Sequence, residues 1–175
     1  MGYNTENTKW PAAALSDEAK TQIDKFFSLL DDPSDGVGNK LADEIFTTDG
    51  SLHGGGGTAN GSAGTKAPSL PHIKSNMTSK ADRTSQSPSP EIRKSRENAW
   101  KLIKVRHHVI QKVYAYDSDA ADVMLIGTVE MVLQNDRKVK GEFTGQIVFD
   151  GSGDRTRIKV YQDSAPLLKA LRGED

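Results

Sequence analysis

The chain contains no cysteine among its 175 residues. That absence excludes disulfides, thiolate nucleophiles and zinc–thiolate sites. It also has no surplus of one charge, because 23 Lys+Arg face 24 Asp+Glu, which argues against a protein that coats nucleic acid or anionic membrane. Residues 1–20 hold no long apolar run, so we expect neither a signal peptide nor a transmembrane helix. These absences predict a soluble, cytoplasmic protein with one domain over residues 1–175.

Three helices are predicted from apolar spacing and start signals. Residues 16–30 carry apolar side chains at helical intervals, with Ser16 as the N-cap. A shorter helix is expected over residues 39–46. A third is predicted over 90–104, because Ser89-Pro90 is a favourable helix start and Trp100 falls on its apolar side.

Residues 54–90 differ from the rest of the chain in composition. They are rich in Gly, Ser, Thr and Pro and nearly empty of large apolar residues. Such a composition indicates a long loop or a disordered insert. Ordered loops of this length are often lids, so we expect either disorder or packing over a pocket mouth.

The remainder of the chain alternates between strand patterns and short turns. Strands are predicted over 105–117, 122–133, 138–150 and 155–163, followed by one or two helical turns over 164–171. Short connections between long strands indicate an antiparallel meander. Helices that precede such a sheet predict an α+β fold.

Two adjacent histidines lie inside the first of these long strands. Neighbouring side chains of a strand point to opposite faces, so only one of them can face a pocket. The apolar phase favours His107, which shares its face with Val109, Val113 and Ala115. His108 instead shares a face with Ile110, Lys112 and Tyr114.

Four local patterns resemble the SnoaL-like branch of the nuclear-transport-factor-two-like superfamily. They are "IFTTDGSL", "RHHVIQKVYAYD", "GEFTGQIVFDGSGDRTRI" and "KVYQDSAPLLKAL", in that order along the chain. The resemblance covers residues 16–53 and 90–171 and leaves the 54–90 insert outside. It implies a cone-shaped α+β barrel, with helices packed on a strongly curved antiparallel sheet around a largely apolar pocket. It also implies a homodimer formed through the outer face of the sheet.

The resemblance implies a class of function as well. Members include polyketide cyclases, ketosteroid isomerases and scytalone-type dehydratases, while other members bind partners and catalyse nothing. We therefore predict a cofactor-free cyclase or isomerase of polyketide or terpenoid metabolism, which moves protons on an apolar oxygenated small molecule. The alternative is a non-catalytic small-molecule-binding or dimerising module. A histidine that meets a carboxylate inside the cavity would favour the enzyme. No metal site is expected, because the four histidines have no regular spacing.

The candidate catalytic residues are two histidines and two carboxylates. The resemblance favours His108 as the proton shuttle and the apolar phase favours His107, and a β-bulge near the strand start would reconcile them. Either could instead be a structural histidine. Glu142 falls near a polar pocket position of the dehydratases, and Asp163 resembles an acidic residue at the end of the last strand. Asp163 could instead cap the final helix.

A second set of residues is expected to contact substrate: Asp49, His53, Tyr114, Glu130, Tyr161 and Trp100. Asp49 and His53 border a short strand that is expected around residues 51–53, although Asp49 precedes a glycine and also fits a turn. Glu130 interrupts an apolar strand, so it either faces outward or has a raised pKa. Tyr161 is either an oxyanion donor or a packed aromatic ring.

Two further patterns bear on the reaction. The dehydratases of the family carry a tyrosine and an aspartate together on the first helix, whereas the first helix here has Asp24 and no tyrosine. Dehydration is therefore less favoured than cyclisation or isomerisation.

The basic run "KSRENAWKLIKVRHH" over 94–108 is interpreted as the solvated face of a helix.

Overall fold

The computed structural model describes residues 2–12, 15–54, 57–60, 90–149 and 155–174. Most of the 54–90 insert lies outside these ranges, so its predicted disorder or lid role stays a prediction. The helices are α1 Asp17–Asp31, α2 Val37–Ile45, α3 Pro90–Lys94 and α4 Ala165–Arg172. The strands are β1 Phe46–Gly54, β2 Gly57–Asn60, β3 Ile103–Ala115, β4 Asp122–Leu133, β5 Lys138–Phe149 and β6 Arg155–Gln162.

The first helix forms where the apolar spacing predicts it. Ser16 is the N-cap, and its side-chain oxygen accepts a hydrogen bond from the backbone N–H of Ala19 at 3.0 Å. Ile23, Phe26 and Phe27 are buried against the sheet. With 15 residues α1 is the longest described helix, and no described helix combines the length and hydropathy of a membrane span.

The described strands form one six-stranded sheet in the order β2-β1-β6-β5-β4-β3. The strands from β3 to β6 form the predicted antiparallel meander. The sheet is mixed rather than wholly antiparallel, because β1 pairs in parallel with β6. With helices packed on one face, this is the predicted cone-shaped α+β fold.

The core lies between α1, α2 and the inner face of the sheet. Alternation along β4 and β5 sends every second side chain inward, which gives each strand one apolar and one polar or mixed face. The largest fully buried side chains include Phe26, Phe27, Leu41 and Ile45 from the helices, and Ile110, Leu125, Ile147 and Ile158 from the strands.

The third helix is shorter than the sequence predicts. The expected helix over 90–104 ends at Lys94, and the chain continues through turns up to the start of β3, with backbone hydrogen bonds between residues three apart. In these turns the side chains of Arg96 and Trp100 donate hydrogen bonds to carbonyl oxygens at the end of α1. Tertiary contacts of this kind override a local preference for helix.

A register shift inside β3 resolves the conflict over its two histidines. The pairing with β4 shifts between Ile110 and Lys112, which adds one residue to β3 and reverses the phase of its side chains. Before the shift, His108 and Ile110 face inward, and after it Val113 faces inward. The family pattern, which favours His108, holds before the bulge, and the apolar phase that includes Val113 holds after it. A second shift lies near the strand start, where a bulge was expected.

An N-terminal segment, residues 2–9, covers the free edge of β3. The N–H of Lys9 donates to the carbonyl of Gln111 at 3.0 Å, and the N–H of Val113 donates to the carbonyl of Lys9 at 3.0 Å. Thr8 adds a side-chain hydrogen bond to the carbonyl of Ile110 at 2.6 Å. These bonds satisfy backbone groups that an edge strand would otherwise leave open.

Candidate active site

A pocket of about 560 Å³ opens between the end of α1, the β1–β2 hairpin, the turns after α3, and strands β3 and β6. A cavity of this size accepts a small organic molecule. Its wall is partly apolar, through Leu30, Leu52, Ala59 and Val160. The other side is polar, through His53, Lys94, Arg96, Arg106, His108 and Gln162.

His108 reaches this pocket from β3 and is paired with a carboxylate of α1. Its Nδ1 lies 2.6 Å from Oδ1 of Asp31, and its backbone N–H donates to Oδ2 of the same residue at 2.7 Å. The ring packs against Phe27 and Phe143, with centroid distances of 5.4 and 5.3 Å. Because Asp31 engages Nδ1, the nitrogen left for a ligand is Nε2.

Asn4 holds this pair from the N-terminal segment. Its Nδ2 donates to Oδ2 of Asp31 at 2.9 Å and to the carbonyl of His108 at 2.7 Å, and its Oδ1 accepts from Ser28 at 2.7 Å. Asn4 is itself buried, so these bonds are shielded from water. The carboxylate of Asp31 is thus fixed from two sides.

The electrostatic surroundings keep His108 uncharged near neutral pH. Burial lowers the pKa of His108 below its usual 6.5, and the positive charges of Arg106 and Arg96 lower it further. The hydrogen bond that Nδ1 makes to Asp31, and the negative charge of Asp31, raise the pKa but do not overcome burial. A neutral imidazole with a free Nε2 can accept a proton.

Two arginines lie beside the pair. Nη2 of Arg96 donates to the carbonyl oxygen of Leu30 at 2.6 Å, and Nη2 of Arg106 donates to the same oxygen. Burial, together with repulsion from Arg106, lowers the pKa of Arg96 to about 10. Both belong to the basic run over 94–108, so the interpretation of that run as a solvated face is wrong for these two residues.

The guanidinium group of Arg106 is also held by Trp100 and Asp31. Arg106 lies over the ring of Trp100 at 4.7 Å, and its Nε is 3.5 Å from Oδ1 of Asp31. Burial lowers the pKa of Arg106, and Asp31 opposes that effect. Trp100, expected to contact substrate, therefore supports Arg106 and does not line the pocket.

His107 lies on the outer face of the sheet. Its ring stacks on Tyr3 with a centroid distance of 4.3 Å, and it pairs across the strands with Glu130. Its Nε2 is buried without a hydrogen-bond partner in the described part of the chain. The structure thus separates the two histidines and brings only His108 to the pocket.

Four other candidates also lie on the outer face. Glu130 forms an exposed ion pair with Lys140 at 2.8 Å, and Glu142 is exposed on the neighbouring strand. Tyr114 and Tyr161 are 43% and 55% exposed, so neither ring is in the pocket. None of these side chains can reach a ligand held near His108.

Two further candidates, Asp49 and His53, lie on β1. His53 lines the pocket, and its ring nitrogens contact Ser51 at 3.1 Å and Thr58 at 3.0 Å. Burial and nearby lysine and arginine charges lower the pKa of His53. Asp49 is exposed and accepts a hydrogen bond from its neighbour Thr47.

Asp163 lies one residue before Ser164, the N-cap of α4, so it is not the helix cap that the sequence offered as its alternative role. Its Oδ1 accepts the backbone N–H of Ala165 at 2.9 Å at the start of α4, and its side chain is exposed. It does not line the pocket that contains His108.

The first-helix carboxylate that pairs with His108 is Asp31, whereas the sequence pattern had indicated Asp24. That residue instead binds the N-terminal segment, accepting hydrogen bonds from Asn4 N and Thr5 Oγ1 at 2.9 Å each. A signal for Asp31 existed, since Ile23, Phe27 and Asp31 follow one another at four-residue spacing on the buried face of α1.

No protein-family model and no curated protein sequence matches this chain. Solved structures do match. A putative polyketide cyclase from Bacillus cereus aligns with a TM-score of 0.58 and 12% identity, over 98% of this chain and 93% of that one. An NTF2-like protein of unknown function from Burkholderia pseudomallei aligns with a TM-score of 0.57 and 10% identity, over 88% of this chain and 97% of that one. TerC, co-crystallized with polyporic acid, aligns with a TM-score of 0.56 and 10% identity, over 89% of this chain and 98% of that one.

These identities are low, so the likeness shows the fold alone. The chain shares the cone-shaped α+β fold of these structures, one of which is an NTF2-like protein, and this is the fold that the sequence patterns predicted.

Proposed function

We propose that the protein is a cofactor-free enzyme that transfers a proton on a small oxygenated substrate, as a cyclase or isomerase of polyketide or terpenoid metabolism. One observation carries this proposal. A buried histidine meets a carboxylate within hydrogen-bond distance beside a pocket, which is the arrangement expected of a general base. Two proteins of the same fold, a putative polyketide cyclase and a polyporic acid complex, support the substrate class.

In this reaction Nε2 of His108 removes a proton from a carbon next to a carbonyl group. The C–H electron pair moves into an enolate, and Asp31 stabilises the imidazolium that forms. The positive charge of Arg96 and Arg106 beside the ring stabilises the negative charge of the enolate. An isomerase then returns the proton to another carbon. A cyclase lets the enolate carbon attack a second carbonyl, and the proton moves to the resulting alkoxide.

Proton removal can be tested before the substrate is known. The protein is incubated in D₂O with a panel of cyclic β-diketones and aromatic polyketide-like ketones, and deuterium incorporation is followed by mass spectrometry. We expect exchange faster than in buffer for part of the panel, and loss of that acceleration in His108→Gln. If compounds bind without any accelerated exchange, the protein is a non-catalytic binding module and the proposal is wrong.

We also propose a cytoplasmic homodimer, formed through the outer face of the sheet. That face exposes Tyr114, Met124, Ile126 and Tyr161, which would be covered by a second copy. The absence of cysteine fits a reducing compartment. Light scattering should give twice the chain mass for the native protein and the mass of one chain for Ile126→Glu. A monomeric native protein would contradict the proposal.

A further inference from the structure

The pocket beside His108 is positively charged. Lys94, Arg96 and Arg106 line it, and no carboxylate does so in the described part of the chain. Asp31 lies behind His108, at the side of the ring away from the free nitrogen. Because His108 is neutral, the pocket offers cations and a base to whatever enters it.

The charge of this buried group can be counted. Arg96 and Arg106 contribute two positive charges and buried Asp31 one negative charge, while Asp32, half-buried and hydrogen-bonded to Ser34, adds a more screened attraction to Arg96. The buried side chains by themselves therefore leave one positive charge uncompensated. Lys94 is exposed at the margin and can be neutralised by solvent ions. The missing counter-charge is therefore that of a monoanion.

The two guanidinium groups also retain unused donors. In the described residues, each donates to the carbonyl of Leu30. The Nε of Arg96 is buried without a hydrogen bond, and the Nε of Arg106 has only the 3.5 Å ion pair with Asp31. A guanidinium carries five N–H donors in a planar fork that matches a carboxylate. Arg96 and Arg106 share the carbonyl oxygen of Leu30, so several of their N–H donors lack an acceptor until an anion binds.

The rest of the wall limits what kind of anion fits. Leu52, Ala59 and Val160 give it apolar surface, and the volume accommodates a small organic molecule. A hydrated inorganic ion would leave this apolar surface wet. A ligand with an apolar body and one acidic end would satisfy both parts of the wall.

We propose that the substrate is an apolar oxygenated molecule bearing a carboxylate, which binds Arg96 and Arg106 next to Nε2 of His108. The inference rests on the proposed function and narrows its substrate, since the sequence indicated only an apolar oxygenated molecule. The carboxylate fixes the position of the ligand, and the carbon that loses a proton then lies within reach of His108.

The test compares three probes that differ only at the acidic end. 1-Hydroxy-2-naphthoate, its methyl ester and its primary amide are titrated into the native protein by calorimetry. We expect the acid to bind at least about tenfold more tightly than either neutral probe, and the difference to shrink as salt is raised. Equal affinity for acid and ester would overturn the proposal without any variant.

Variants of single residues then show which side chains cause the preference for the acid over the ester and the amide. Arg96→Gln and Arg106→Gln should each remove most of it, while Arg172→Gln, the same change on the exposed face of α4, should leave it intact. His108→Gln should keep the acid preference, because that residue is not part of the carboxylate site. A preference that survives in folded Arg96→Gln would place the anion elsewhere and contradict the assignment.

Failure of this inference differs from failure of the proposed function. Accelerated exchange of neutral ketones without acid preference would overturn the carboxylate and leave the proton-transfer role standing. Acid preference without any exchange in D₂O would leave the anion site standing and overturn catalysis.

Discussion

The two faces of β3 place adjacent histidines in different chemical environments. His108 lies on the inner face, where Asp31 engages its Nδ1 and Phe27 and Phe143 exclude water. His107 lies on the outer face, against Tyr3 and across from a glutamate. The residue type is identical, so the difference teaches that a partner from another element confers the potential for chemistry.

The charged groups of the two faces differ in the same way. On the inner face Asp31, Arg96 and Arg106 are buried and close together, so their interactions are weakly screened. On the outer face Glu130 and Lys140 form an exposed ion pair, which water and salt weaken. Changes on the inner face should therefore have much larger effects.

The largest contrast should come from replacing each histidine in turn. His108→Gln should reduce the deuterium-exchange rate by roughly 10²–10⁴-fold, the usual contribution of a general base. His107→Gln should stay within about threefold of the native rate, because the ring is on the other side of the sheet. Equal losses in both variants would contradict the separation of the two faces.

The next largest effect should come from the carboxylate partner. Asp31→Asn should slow exchange by about 10²-fold, since the amide no longer stabilises the imidazolium. It should also reduce the free energy of unfolding by about 1–3 kcal/mol, because buried donors lose their acceptor. Asp163→Asn, an exposed change of the same kind, is the control and should leave the exchange rate unaltered.

Asn4 tests whether the N-terminal segment holds the inner face in place. Asn4→Ala removes hydrogen bonds to Asp31, His108 and Ser28, and should cost about 1–3 kcal/mol in urea unfolding. The matched change Asn98→Ala affects an exposed residue and should stay within about 0.5 kcal/mol of the native value. A stability loss in neither variant would show that the segment contributes little.

The pH dependence should also distinguish the faces. The pKa of His108 is lowered, so the unfolded chain binds a proton near pH 6.5 that the folded chain does not yet bind. Stability is therefore complete above that pH and falls as pH decreases from 6.5 toward the folded pKa. Exchange should fall at still lower pH, as Nε2 becomes protonated. His108→Gln should remove its share of the stability change, which denaturant titrations at several pH values would measure.

The smallest effect should come from Glu142. This side chain is exposed on the outer face, so Glu142→Gln should change the exchange rate less than about twofold and stability less than about 0.5 kcal/mol. The measurements are the same exchange and urea experiments. A large loss of exchange would mean that the outer face contributes to the reaction.

Much of the fold could be predicted from local patterns. Ser16 caps α1 as expected, and β4 has the bounds that apolar alternation gives it. The phase of β3 could not be fixed, because the register shift at Ile110 depends on pairing with β4 and with the N-terminal segment. Such a bulge has no reliable local signature.

The candidate site was harder to predict because it is assembled from distant elements. Asp31 and His108 are 77 residues apart in the sequence. A carboxylate at a helix end is usually interpreted as a turn residue, and its pairing with a histidine is known only once the helix is placed beside the strand. Arg96 and Arg106 resembled a solvated run, since burial of a charge is decided by tertiary packing.

The protonation state of His108 tests the central claim most directly. Nitrogen-15 NMR of the native protein, assigned with the two histidine variants, reports tautomer and titration for each ring. We predict a neutral His108 ring at pH 7, with the proton on Nδ1 facing Asp31, and a titration midpoint below 6.5. A His108 that is an imidazolium at pH 7 could not accept a proton and would contradict its role as the base.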